Sequence, residues 1–231
     1  MMTQQLFINR VRNRLGRSGA EGEPQWTPSL PIPTPGPTET EALVERYQLE
    51  LGKLMGKTYR VMSEAEVAPL VIGILKEIGA TGSVMRWDDA AINGLGLDEA
   101  LTGAGFAVAT MKHGEPGRPQ VEAAERAIAG ITGADMAIAE TGTLVMASAQ
   151  LGVAGAPGRG RTVSLLPPIH IAVLRKEQIV YTPAQVFAKL RKLGILPSQV
   201  VFASGPSRSA DIENDLSIGV HGPVQAHVII I

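Results

Sequence analysis

Apolar residues along this chain recur first at helical spacing and then in short runs separated by turn residues. Thr40 can cap a helix whose apolar positions Leu43, Tyr47, Leu51 and Leu54 fall on one face up to Gly56. From Thr58 onward strand-like and helix-like segments alternate. Tyr59–Met62 reads as a strand, and Ser63-x-x-Glu66 is a capping box that opens a helix through Ile78, closed by Gly79. Extended segments are expected at Ser83–Trp87, Phe106–Met111 and Asp135–Ala139, with helical ones at Asp98–Leu101 and Val121–Ala129. This alternation predicts βαβ units and an α/β fold with a mainly parallel sheet flanked by helices. Ala139-Glu140-Thr141-Gly142-Thr143 joins two apolar runs, which predicts a hairpin-like excursion within the sheet. Further on, Val163–Leu166 precedes the Pro167-Pro168 bend and a strand at Ile169–Leu174, and Pro183–Leu193 is a helix with proline in its first turn. Val200–Ala203 has the composition of a short interior strand, and the chain closes on the apolar run Val228–Ile231.

The front of the chain is different. Ile8, Val11 and Leu15 share a helical face in a segment carrying Arg10, Arg12, Arg14 and Arg17, which predicts a short amphipathic helix docking on its own domain or on a partner subunit. Between Ser18 and Thr40 six prolines and three glycines favour extended polyproline geometry, an arm crossing a surface. Its Pro31-x-Pro33-x-Pro35-x-Pro37 spacing also suits an SH3-type ligand, with the spacer reading preferred. The expected division is therefore residues 1–57, helices and proline-rich arm, and residues 58–231, an α/β domain.

Composition narrows the function classes. With 45% hydrophobic residues, 19% charged residues and a net charge of −1, no global field attracts nucleic acid. The longest apolar stretch in the body, the nine residues Val67–Leu75, falls far short of the ~20 needed to span a bilayer. No recognisable signal peptide precedes the domain, and a cytoplasmic setting is expected. The chain has no cysteine, so it has no thiolate nucleophile, no disulfide and none of the usual ligands for an iron–sulfur cluster. Any cluster its function needs belongs to a partner, and no cofactor of its own is expected.

Three constellations can carry chemistry. Glu140 lies at a turn between apolar runs, beside the hydroxyls of Thr141 and Thr143, where an apolar setting would raise its pKa for acid/base or nucleophilic work; a structural carboxylate accepting backbone amides is the equal alternative. Gly158-Arg159-Gly160-Arg161 followed by Thr162 offers an anion clamp, against the simpler reading of a solvated basic loop. In the third, the amides after Gly205, the hydroxyls of Ser204, Ser207 and Ser209, and Arg208 suit a phosphate or carboxylate at the start of a helix beginning near Ser209. Asp211 and Glu213 can instead neutralise Arg208 and complement that helix. His170, His221 and His227 are too scattered for a metal spacing, and no GxGxxG, Walker A or GxSxG element is present.

Four ordered motifs carry a resemblance. Ala139-Glu140-Thr141-Gly142-Thr143, Ser164-Leu165-Leu166-Pro167-Pro168-x-His170-Ile171, Ser204-Gly205-Pro206-Ser207-Arg208-Ser209-Ala210-Asp211-Ile212-Glu213 and Gly219-Val220-His221-Gly222-Pro223 together resemble the lactate utilization protein C family of LUD-domain proteins, over roughly residues 59–231. The resemblance implies a fold of the NagB/RpiA/CoA-transferase type and a role in oxidising L-lactate to pyruvate alongside two iron–sulfur partner proteins. It supplies no catalytic residues. On that basis the chain is expected to be a cluster-free accessory or substrate-handling subunit. Its small-anion pocket would draw on Glu140 with Thr141, Gly142 and Thr143, on His170, on Ser204, Gly205, Ser207, Arg208, Ser209 and Asp211, and on His221. The alternative is a stand-alone acyl/CoA transferase or hydrolase using Glu140, because CoA-transferases, similar in fold, use a glutamate nucleophile near a turn.

Overall fold

The computed structural model describes residues 4–14, 16, 36–112, 117–148, 161–192, 197–210 and 216–231. The proline arm up to Pro35, the glycine-rich loop before Arg161, and Asp211 with Glu213 lie outside the described residues. Two compact units divide the chain, Met1–Pro35 and Gly36–Ile231. The first contains the expected short helix, α1 (Gln4–Arg14), basic in its last turn through Arg12 and Arg14. The second contains everything else, including α2 (Thr40–Lys53), which the sequence position alone groups with the arm.

Within the second unit the parallel strands are β1 (Lys57–Arg60), β2 (Ser83–Trp87), β3 (Ala107–Met111), β4 (Ala129–Gly133), β7 (Ile169–Leu174) and β12 (Gln225–Ile230). They form one six-stranded sheet in the order β1-β12-β7-β4-β2-β3, every pairing parallel. One face is covered by α3 (Val67–Glu77) and α5 (Leu97–Gly103), whose Val71, Ile74, Leu75 and Leu101 pack on Ile131, Ile171, Val173 and Ile229. Ahead of α3 the capping box forms a variant of the expected bonds, since Glu66 accepts from the Ser63 hydroxyl at 2.9 Å and from the Met62 amide at 3.3 Å.

The other face is covered by something other than crossover helices. Strands β5 (Met136–Ile138), β6 (Thr143–Ala147), β8 (Ile179–Val180) and β9 (Val200–Ala203) form a second, four-stranded sheet in the order β8-β5-β6-β9. The hairpin expected around Glu140 is present, but it belongs to this second sheet rather than to the main one. Likewise β9 is not interior: it pairs only with β6 and lies at the sheet edge, half-exposed. The inner residues Ala137, Leu144 and Ile179 join Leu43, Val44, Tyr47 and Leu51 of α2 over Ala172, Leu174, Val228 and Ile230 of the main sheet. The outer residues Met136, Ile138 and Val145 pack under α8 (Pro183–Arg191), which has proline at its first turn and a Thr182/Gln185 capping box.

Two glycines allow backbones to meet directly. Gly142 has φ +62°, and a Cβ there would lie 2.4 Å from the Leu51 amide nitrogen, so the β5–β6 turn sits flush on α2. Gly130, on β4, would put a Cβ 1.8 Å from the Val163 carbonyl oxygen of α7 (Thr162–Leu165). The short helix therefore lies against the sheet beside His170.

The division of the chain yields a direct prediction. Deleting residues 1–35 is expected to leave the 36–231 unit with a single cooperative thermal unfolding transition close to that of the full chain. Loss of cooperative unfolding would show that the first unit completes the core.

Candidate functional site

At the amino-terminal ends of β7 and β12 the cover over the second face stops short, leaving a cavity of about 250 Å³. Its floor is the row that the register sets across the sheet, with His170 beside Ala226 and, one pair further, Val228 beside Ala172. Leu51 of α2, Leu144 of β6 and Ser164 with Leu165 of α7 form the walls. The rim is the loop after β9, Ser204 to Arg208, facing His221, Gly222 and Pro223. The rule that open parallel sheets bind ligands at the carboxyl ends of their strands does not locate this cavity, because the second sheet makes its own roof at the opposite end.

Ser207 holds the rim together. Its amide donates to the Pro223 carbonyl at 2.8 Å, its carbonyl accepts from the Gly219 amide at 2.9 Å, and its hydroxyl oxygen accepts from the His221 amide at 3.1 Å. Among the described residues the Ser207 O–H has no acceptor of its own and can donate to a ligand. Gly205, at φ +75°, abuts Leu54 behind the rim. Arg208 is exposed and is the cavity's one lysine or arginine among the described residues. It makes no ion pair with any described residue.

The helix expected near Ser209 is absent. Arg208–Ala210 is instead β10, paired antiparallel with β11 (Leu216–Ile218), and Ser209 faces Ser217 in that ladder, away from the cavity lining. Among the described residues no helix begins at this loop, so the donors it offers are hydroxyls and the Arg208 guanidinium.

Glu140 also departs from expectation. Its side chain is exposed and does not line the cavity, so the apolar surroundings expected for it are not there. Its amide donates to the Tyr181 carbonyl at 3.0 Å. The buried members of the turn segment are Ala139, Gly142 and Thr143. The turn nevertheless meets the rim, because the β6–β9 register sets Thr143 opposite Ser204. The Thr143 hydroxyl lies 2.7 Å from the Ser204 hydroxyl and 2.7 Å from that of Thr141.

His170 is buried, with Nε2 2.9 Å from the Thr132 hydroxyl, and its Nδ1 makes no hydrogen bond to a described residue. Burial, reinforced by neighbouring His227, holds its pKa down to about 4. His227 points to the other face, stacked on Tyr59 at 5.9 Å, with Nδ1 3.1 Å from the Tyr59 hydroxyl and Nε2 3.1 Å from Gln225 Oε1. That oxygen only accepts, so Nε2 carries the proton and Nδ1 accepts from the tyrosine. Burial first, and then the Lys57 charge, lower its pKa to about 4. Both rings are neutral at pH 7. Among the described residues no group of three or more histidine, aspartate and glutamate side chains converges as a metal site, and no helix is long and apolar enough to cross a membrane. Sequence reasoning did not single out Thr132 or Leu51 for the site, whereas Ser164 sits in a motif already quoted.

Comparison with known proteins agrees with this architecture. The LUD domain model matches residues 44–231, which defines the class. Proteins named lactate utilization protein C are similar over nearly the whole chain. That of Geobacillus sp. (strain WCH70) is 32% identical over 97% of this chain and 94% of its own length. That of Halalkalibacterium halodurans is 33% identical over 99% and 97%, and that of Bacillus subtilis (strain 168) is 30% identical over 100% and 97%. A duf162 family protein from Deinococcus radiodurans shares the fold, with a TM-score of 0.54 at 24% identity over 84% of this chain and 99% of that one. This chain belongs to the lactate utilization protein C family of LUD-domain proteins.

The two histidines make stability pH-dependent. From pH 6.5 down to about 4 the unfolded chain binds protons that the folded chain refuses, so stability is full above 6.5 and falls as pH drops through this window. Each histidine can account for up to about 3 kcal/mol at the acid end. Denaturant titrations at pH 7.5 and 4.5 are expected to show this loss and to show less of it in His170→Gln. An equal loss in wild type and variant would contradict the burial of a neutral His170.

Proposed function

We propose that this chain serves lactate utilization as a cluster-free, substrate-handling subunit, holding a small carboxylate in the cavity while iron–sulfur partner proteins take the electrons. The observation that carries the reading is the cavity itself, a largely apolar interior with His170 in its floor, under a rim of hydroxyls and, among the described residues, one guanidinium. Such a lining suits an anion with a short apolar body. The names of the relatives supply the pathway, and the absence of cysteine supplies the division of labour. Oxidising lactate to pyruvate removes the C2–H and O–H hydrogens as two electrons and two protons and leaves a carbonyl. Nothing in the chain's own side chains accepts two electrons, so these pass to the partners' clusters.

The residues then have binding roles. Arg208 and the Ser207 O–H hold the carboxylate, Leu51, Leu144 and Val228 receive the methyl end, and Ser164 and Leu165 close the side. His170, with a pKa of about 4, is a poor base at neutral pH and acts as a hydrogen-bonding wall. The transferase or hydrolase alternative depends on a sequestered Glu140, and that carboxylate is exposed outside the cavity wall.

Calorimetric titration of the purified chain tests the reading. L-Lactate or pyruvate is expected to bind saturably, and Arg208→Ala to weaken binding about tenfold, the low end for a charged hydrogen bond because the guanidinium is solvent-screened. Absence of binding by the wild-type chain, or an Arg208→Ala variant with undiminished affinity, would overturn it.

A further inference from the structure

We propose that Thr143 is a positioning residue that aims the Ser204 proton into the cavity, so that three hydroxyls in series donate toward a bound anion. The inference rests on the carboxylate-binding reading of the cavity and assigns a role to a residue that does not line it. Thr143 is buried, 3% exposed, and its hydroxyl has three oxygen neighbours: Thr141 Oγ1 at 2.7 Å, Ser204 Oγ at 2.7 Å and the Thr141 carbonyl at 3.5 Å. The two shorter contacts lie at the usual O–H···O distance, and the carbonyl lies beyond it. The single Thr143 proton therefore goes to one of the two hydroxyls.

Each choice orders the whole chain. If Thr143 donates to Ser204 it accepts from Thr141, and the Ser204 proton is released into the cavity. If Thr143 donates to Thr141 it accepts from Ser204, and Ser204 turns only lone pairs to the ligand. The first order presents a donor and suits an anion, whereas the second suits a ligand that itself donates. Hydrogen bonds in series polarise one another, so the first order also strengthens the terminal O–H.

The lining fits the same choice. Arg208 and the Ser207 O–H already favour negative charge, and no aspartate or glutamate lines the cavity among the described residues. Thr141, exposed at the outer end, can take its own hydrogen bonds from water, so reversing the order leaves no proton stranded. Thr143 thus couples the Glu140 turn to the site without Glu140 entering it.

The test uses the full-length chain, with pyruvate as the anionic probe and its neutral amide, pyruvamide, as the control. Thr143→Val keeps the shape and removes the hydroxyl, and it is expected to weaken pyruvate roughly five- to tenfold, the upper part of the range for one ordinary hydrogen bond. Pyruvamide should change less, which a general loosening of the site would not produce. Thr143→Ser should stay within about twofold of wild type, Ser204→Ala should match Thr143→Val, and the double variant should be no weaker than either single one. Wild-type affinity in Thr143→Val, or additive losses in the double variant, would overturn the relay while leaving the cavity's carboxylate reading intact. If the wild-type chain binds no pyruvate, both fall together. Should Thr143→Val fail to fold, Ser204→Ala decides alone, since unchanged pyruvate affinity there overturns the proposal.

Discussion

The face that β7 and β12 present opposite α3 and α5 has to be covered, and the way it is covered decides everything else in this fold. Central strands of an all-parallel sheet are apolar on both faces, because crossover helices normally bury both. Here Ala172, Leu174, Val228 and Ile230 are buried instead by α2 and a second sheet, with Gly142 letting the β5–β6 turn rest on the α2 backbone. A substituent at that glycine would force the second sheet off α2. The cover ends one row early, at His170 and Ala226, and the uncovered row is the cavity floor.

The chemistry open to the site follows from what the cover leaves exposed. Two buried histidines without a carboxylate partner stay neutral, so they bring no charge and little basicity at neutral pH. The positive charge is on Arg208 at the rim, and the hydroxyls of Ser204 and Ser207 are held by neighbours rather than by the ligand. In the proposed function a lining of this kind binds and orients a carboxylate.

Much of this was legible in the chain, and the gaps have physical causes. Strands β2 and β7 match their predicted limits because β-branched and aromatic runs with polar or proline flanks leave little choice. Strand β4 has no counterpart among the expected elements, and the expected helix takes its first residue, since Ala129-Gly130-Ile131-Thr132-Gly133 is short and glycine-rich. Its glycine is demanded by a contact with Val163, distant in sequence, that leaves no local pattern. The helix expected at Ser209 gave way to a hairpin because the partners of Arg208–Ala210 lie beyond the intervening loop. Apolar flanks suggested a buried Glu140, yet the side of the turn that faces α2 is Gly142's. Thr132 carried no signal at all, because its bond to His170 spans 38 positions. The motif residues Ser164, His170, Ser204, Ser207, Arg208 and His221 meet at the cavity, whereas Glu140, Thr141, Gly142 and Thr143 do not line it.

The proposed carboxylate site is the uncovered row between α7 and the rim. A crystal structure of the full-length chain grown with pyruvate tests it most directly. Pyruvate is expected in the cavity, its carboxylate within hydrogen-bonding distance of Arg208 and the Ser207 hydroxyl and its methyl group against Leu51 or Val228. Pyruvate bound elsewhere on the chain, or a cavity closed by its own side chains at saturating pyruvate, would contradict it.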